Sequence, residues 1–225
     1  MKPSKLDRFL RLFTDVHAGE GFTALLMFAN VFLILCAYYF IKPLREGWIA
    51  VSDISGLSKM EIKAYSSFGQ SLVLIPVVWY YGRLSSRFRR SDLITRSTLF
   101  CMSNMVIFWA IQPGLFIENL PYTGIIFYLW VGMFGVFVVA QFWAFAADIY
   151  TVERGNRLFP FIAIGATSGA ALGSWITEML VESGLFDTKG LLLVAMIPLA
   201  VSIIISRIVE DRMHGQTAGT KATSG

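Results

Sequence analysis

Charge, histidine and cysteine are all scarce in this chain. Of its 225 residues 15% are Asp, Glu, Lys or Arg, against about 25% in ordinary soluble domains. Two histidines, His17 and His214, and two cysteines, Cys36 and Cys101, are the whole supply of imidazole and thiol ligands. Both cysteines fall inside apolar runs, so neither a disulfide nor a metal site is expected. There is no phosphate-binding glycine loop with its lysine, no HExxH and no CxxC. Nothing therefore points to an enzyme, a metal or another cofactor. The net charge of +4 is carried in loops rather than on one polar face, which does not suggest a nucleic-acid polymer as partner.

Apolar residues fill the space that charge leaves. They make up 56% of the chain, with 19 Phe, 6 Trp and 8 Tyr, and the mean hydropathy is +0.62. Six apolar segments can be marked, at 22–41, 64–82, 93–112, 122–148, 158–181 and 190–206. Each is near the ~20 residues that a helix needs to cross ~30 Å of hydrocarbon. Only helices and closed barrels satisfy their backbone in lipid, and these runs lack the period-two alternation of a barrel. The first run is long enough to span and no small-residue cleavage pattern follows it, so a permanent helix is expected rather than a signal peptide. The expected fold is an all-α membrane protein of six transmembrane helices.

Three divisions follow. Residues 1–21 place Leu6, Phe9, Leu10 and Phe13 on one helical face among Lys5, Arg8 and Arg11, the pattern of an amphipathic helix on an anionic leaflet. Residues 22–208 hold the six spans. Residues 209–225 are rich in Gly, Thr, Ser and Ala and suggest a flexible cytoplasmic tail or a linker to a further half. Of the 19 Lys and Arg, all but Lys42, Arg45, Lys59, Lys63 and Lys189 fall on the side of the two termini. The positive-inside rule then puts both termini in the cytoplasm.

Ionisable groups at or within such spans are functional candidates. Asp148 closes the fourth run, whose other strongly polar member, Gln141, lies nearly two turns earlier on the same face. The plainer reading is that Asp148 marks a helix end and pairs with Arg154 or Arg157. Lys42 ends the first run, directly before Pro43. If the helix persists past that proline, Arg45 and Glu46 share its face; the plainer reading of Lys42 is a snorkelling anchor. Helices one to three and four to six would form two three-helix repeats of inverted topology, with Lys42 and Asp148 ending their first members. The run Gly82–Arg90 (GRLSSRFRR) reads as a topological determinant, or as a latch against neighbouring helix ends. Gly165, Gly169 and Gly173 recur every fourth residue, the spacing that lets another helix approach closely.

Two stretches carry a resemblance. FWAFAADIYTVERGNRLFP and AYYFIKPLREG resemble segments of the ATP/ADP antiporter (nucleotide transporter) family, and the likeness runs from Gly19 to Arg207. It implies a major-facilitator type of fold, in which first helices of repeats line a central cavity. By position, Lys42 matches the family's functional lysine, Asp148 a polar or acidic position of the fourth helix, and Arg157 the arginine before the F/Y-P pair. Pro43 stands where the exchangers usually have aspartate, and Ala147 where they tend to have asparagine. Family members have about twice as many helices, so the resemblance implies an amino-terminal half that works with a missing carboxy-terminal half or a second copy. It also implies the inner membrane of a bacterium, and a small anionic substrate such as ATP or ADP attracted by Lys42, Arg45 and Arg157. The competing expectation is a non-transporting membrane sensor or docking module.

Overall fold

The computed structural model describes residues 19–222 apart from 53, 55, 86, 88, 116–121 and 185–187, and before them residues 8, 10 and 14–17. Among the described residues the structure is helical without strands. Six long helices follow one another: α1 (Gly21–Val51), α2 (Lys59–Ser85), α3 (Arg90–Leu115), α4 (Thr123–Ile149), α5 (Val152–Glu182) and α6 (Leu191–Ala222). A single 3₁₀ turn, Thr188–Gly190, leads into α6.

Five of the six are long and apolar enough to cross a membrane: Gly21–Val51, Arg90–Ile111, Thr123–Ile149, Val152–Glu182 and Leu191–Met213. The protein is an integral membrane protein. The sequence suggested six spans, and α2 is the one that falls short. Its 27 residues are long enough, but Lys63, Ser66, Ser67, Gln70, Ser71 and Arg83 dilute its apolar content.

Helix α1 is the centre of the bundle. Ala24, Met27, Val31, Ala37 and Ile41 are wholly buried along it, and it packs against α5, α6 and α4. Its partnership with α5 depends on the three glycines. A β-carbon added at Gly165 or Gly173 would lie 2.7 or 2.8 Å from the carbonyl oxygens of Phe28 and Cys36, and one at Gly169 would come still closer to that of Phe32. Four residues on α5 thus match four on α1, so the two helices run parallel in register at backbone contact. By contrast, α4 is antiparallel to α1: Gly124, at its start, abuts Trp48 and Ser52, and Gly135 accommodates the Tyr38 ring. Helix α2 leans mainly on α4, and α3 on α6 and α4.

Three sequence expectations need correction. The first helix does not end at Lys42; it continues to Val51 with Pro43 inside it. A proline in a helix leaves the carbonyl four residues earlier without its donor. Here that is the Tyr39 carbonyl, which shares the Thr177 hydroxyl of α5, 3.3 Å away, with the Gly173 carbonyl at 2.7 Å, so a neighbouring helix offers the freed group a partial partner. Next, α6 is helical to Ala222, where composition suggested a flexible segment from 209 onward. Finally, Leu10 and Val16 are buried in the bundle core, so Leu10 does not face a lipid leaflet; Leu6, Phe9 and Phe13 of the expected amphipathic face lie outside the described residues.

Candidate functional site

Charged side chains gather at the two ends of the bundle, with an uncharged polar core between. At the end where α1 finishes, Glu46 accepts from its neighbour Arg45 at 2.7 Å and from Lys63 of α2 at 2.6 Å. The Arg45 guanidinium also lies 4.6 Å from the centre of the Tyr128 ring of α4. Because the helix survives Pro43, this carboxylate sits beyond the kink and ties α1 to α2. Lys42 is separate from that cluster. Its ammonium lies 4.8 Å over the Tyr39 ring, half-buried and without an ion pair among the described residues. A cation over an aromatic face in a partly dry site is held by about 0.5–2 kcal/mol, weakly enough for an anion to compete.

At the opposite end, α4 is followed by only Tyr150 and Thr151 before α5 begins, with the Thr151 side chain capping α5 at Arg154 N. Asp148 is the second-last residue of α4. It does not pair with Arg154 or Arg157, the partners nearest in sequence. Arg90, the first residue of α3, donates through Nε to Asp148 Oδ2 at 2.5 Å and through Nη1 to Ser85 Oγ at 2.6 Å. The basic turn between α2 and α3 therefore bears directly on the end of α4. Gln141, nearly two turns deeper and 2% exposed, donates to Ser97 of α3 at 2.6 Å. Gln141 and Asp148 thus share a face that looks toward α3, and the Tyr81 hydroxyl is buried beside Gln141 and Arg90.

Arg154 and Arg157 belong to a second cluster at this end. Both pair with Glu20, at 3.0 and 3.4 Å, and Arg157 also donates to the Asp15 carbonyl at 2.5 Å. The segment before α1 is thereby clamped to the first turns of α5. Burial and the Glu20 carboxylate push the Tyr150 phenol upward, so it stays neutral.

Between the two ends lies a core pair of helices joined by neutral groups. Asn30 of α1, 1% exposed, donates to Ser206 at 2.8 Å and accepts from Ser202 at 2.6 Å, both on α6. These groups and Gln141 border a small cavity with ≈ 10 Å³ for a water's centre, room for about one molecule. Sequence reasoning left Glu20, Ser97, Ser202 and Ser206 out of the site, and held Arg90 only as the last residue of the Gly82–Arg90 run. The serines carried a signal, since a spacing of four puts both on one face of α6; Glu20 carried none.

Comparison of the chain with protein-family models, with curated proteins and with solved structures returned no match.

Proposed function

We propose that this chain is the amino-terminal half of a secondary membrane transporter that moves a small organic anion, of the ATP/ADP-exchange kind, by alternating access. The observation that carries the reading is the placement of two bound carboxylates. Glu46 lies toward the end of α1 and is held by Lys63 of α2; Asp148 lies at the end of α4 and is held by Arg90 of α3. Since α1 and α4 are antiparallel, the two ion pairs occupy opposite ends of the bundle. A carrier that opens alternately to each side needs a closable contact at both. Lys42 between them is a cation free to meet an anionic substrate, because its present partner is only a ring.

The pattern of helix neighbours supports an inverted repeat. If α1–α3 are exchanged with α4–α6, the contact of α1 with α5 maps onto that of α4 with α2, and α1 with α6 onto α4 with α3. The contacts of α1 with α4 and of α3 with α6 map onto themselves. Both members of the first pair are parallel: α5 tracks α1 through its glycines, and Ser67 and Gln70 of α2 meet Tyr128 and Gly132 of α4 in the same order. Repeats of this kind are a frequent transporter construction.

Reconstitution tests the reading. Purified chain, shown by cross-linking to be monomeric in liposomes, should take up no labelled ATP, ADP or dicarboxylate, because a cavity between halves lacks its second wall. Saturable uptake by that monomer would contradict the half-carrier assignment.

A further inference from the structure

A second, larger opening among the described residues lies away from these ion pairs. It is a cleft of ≈ 600 Å³ between the second half of α2, the first half of α3 and the middle of α4. That volume falls in the range of sites for small molecules, ~300–1,000 Å³. Its walls are mostly apolar, with Val77, Phe100, Trp130 and Phe134 along the depth and Tyr81 and Arg96 near one end. The cleft exists because α2 packs poorly: its buried residues are Ile62 and Ser66, both in its first two turns. Beyond them no residue of α2 is buried, and its contacts thin to single side chains such as Tyr81 against Phe137 of α4 at 4.7 Å.

We propose that this cleft binds an anionic phospholipid, with one acyl chain among the rings and the phosphate at the arginines of the α2–α3 turn. Depth and charge both select this occupant. On α3 the lining runs from Leu93, beside the turn, to Cys101; eight residues at ~1.5 Å each give roughly 12 Å. That is most of the thickness of one leaflet, about half of the ~30 Å hydrocarbon core. At the shallow end, residues 82–96 contain Arg83, Arg87, Arg89, Arg90 and Arg96 against the single acid Asp92. Arg90 is engaged by Asp148, and Arg83 lies 3.8 Å over the Trp79 ring. Even with Asp92 and Asp148 both counted, a net charge of +3 remains in the stretch that adjoins this apolar slot, and Arg96 lines the slot itself. Basic pockets between membrane helices attract anionic head groups in this way. A nucleotide is a poor occupant, since its base and sugar polar atoms would find few partners along those walls.

Native mass spectrometry of the purified full chain, exposed to equal amounts of dioleoyl phosphatidylglycerol and dioleoyl phosphatidylcholine, tests the site. The two lipids share acyl chains and differ in charge. The parent should retain phosphatidylglycerol preferentially, and Arg87→Gln and Arg96→Gln should each lower that retention by about 5-fold, leaving phosphatidylcholine unchanged. Val77→Trp, which fills the cleft without altering charge, should lower retention of both lipids. Equal retention of the two lipids by the parent overturns the proposal, and so does phosphatidylglycerol retention indifferent to Val77→Trp. A lipid-free dimer that Val77→Trp disperses also overturns it and assigns the cleft to a second copy. If either arginine variant does not fold, the other and Val77→Trp supply the same comparison. None of these readings depends on transport, so the outcome is separable from that of the carrier assignment.

Discussion

Gly169→Ala puts under direct test the closest approach that a described glycine makes to the backbone of another helix. The added β-carbon would meet the carbonyl oxygen of Phe32, with the Phe32 carbonyl carbon and α-carbon both 2.8 Å away. Side-chain atoms could swing aside; this is backbone. The Phe32 carbonyl is also committed within α1, where it faces the amide four residues on, so it cannot rotate away cheaply. Relief needs a separation of α1 from α5 by roughly an ångström, and Gly165 and Gly173 on the same row would lose their contact too. Overpacking of this kind costs about 1–3 kcal/mol, occasionally more. Against it stands the better helix propensity of alanine, ~1 kcal/mol. A net loss of roughly 0–2 kcal/mol would lower the melting temperature by up to about 8 °C for a chain of this size, and the gap from a control that only gains propensity would be about 1–3 kcal/mol. Gly47→Ala is the matched control, since nothing lies within 4 Å of its added carbon; there the propensity gain stands alone and the change should be neutral or stabilising. Thermal unfolding in detergent, followed by tryptophan fluorescence, measures both. If Gly169→Ala is as stable as Gly47→Ala, the parallel α1–α5 contact is wrong.

Other consequences can be checked separately. Ser58 and Glu61 cap α2 reciprocally: Glu61 accepts from Ser58 N at 2.8 Å and from its hydroxyl at 2.7 Å, and Glu61 N donates to Ser58 Oγ at 3.3 Å. These bonds lower the Glu61 pKa, so the protection they give is present above the ordinary carboxylate range and is lost as pH falls through the depressed value. The protection factors of the first-turn amides of α2, which correct exchange for its intrinsic pH dependence, should therefore fall on acidification, and Ser58→Ala should weaken that pH dependence while the Ser58 backbone bond to Glu61 keeps part of it. Asn30→Leu removes the acceptor of the Ser202 hydroxyl, while Ser206 keeps its bond to the Ser202 carbonyl at 3.0 Å, and should destabilise by about 1–3 kcal/mol in equilibrium unfolding; an unchanged midpoint would mean that Ser202 finds another partner. For orientation, single cysteines at Ser58 and Arg87, in a background without Cys36 and Cys101, can be probed by an impermeant thiol reagent in intact cells. Arg87 is exposed whereas Ser91, at 6%, is too buried to report. Labelling at Ser58 and not at Arg87 is expected, and the reverse would invert the topology.

The existence of the helices was legible because each long apolar run dictates one, and their ends were not. Helix α1 outlasts Pro43, and the carbonyl that the proline frees meets a hydroxyl 138 positions away in sequence, at Thr177, which no local pattern announces. In α2, hydroxyl and amide side chains lowered the apolar content below what its helical length suggested. The same locality misplaces the partner of Asp148. Arg154 and Arg157 are nearest along the chain, yet the two-residue connection carries them onto α5, where Glu20 holds them, and leaves Arg90 beside Asp148. The glycine row is the opposite case. Its spacing of four is a property of one helix face, so the sequence alone suggested close approach, though not that α1 is the neighbour.

Anion binding at Lys42 tests the carrier account most directly. The chain in lipid nanodiscs would be titrated with labelled ATP and ADP, with citrate as a competing anion, alongside Lys42→Gln, Lys42→Arg and the control Lys189→Gln. Replacing the hydration of an anion requires a positioned cation, and an arginine differs from lysine in shape. The account expects saturable binding that Lys42→Gln weakens by about 10-fold or more, roughly the 1.4 kcal/mol or more of one charge-assisted contact, that Lys42→Arg retains in part, and that Lys189→Gln leaves unchanged. Absence of saturable binding by the parent, or equal binding by parent and Lys42→Gln, would contradict it.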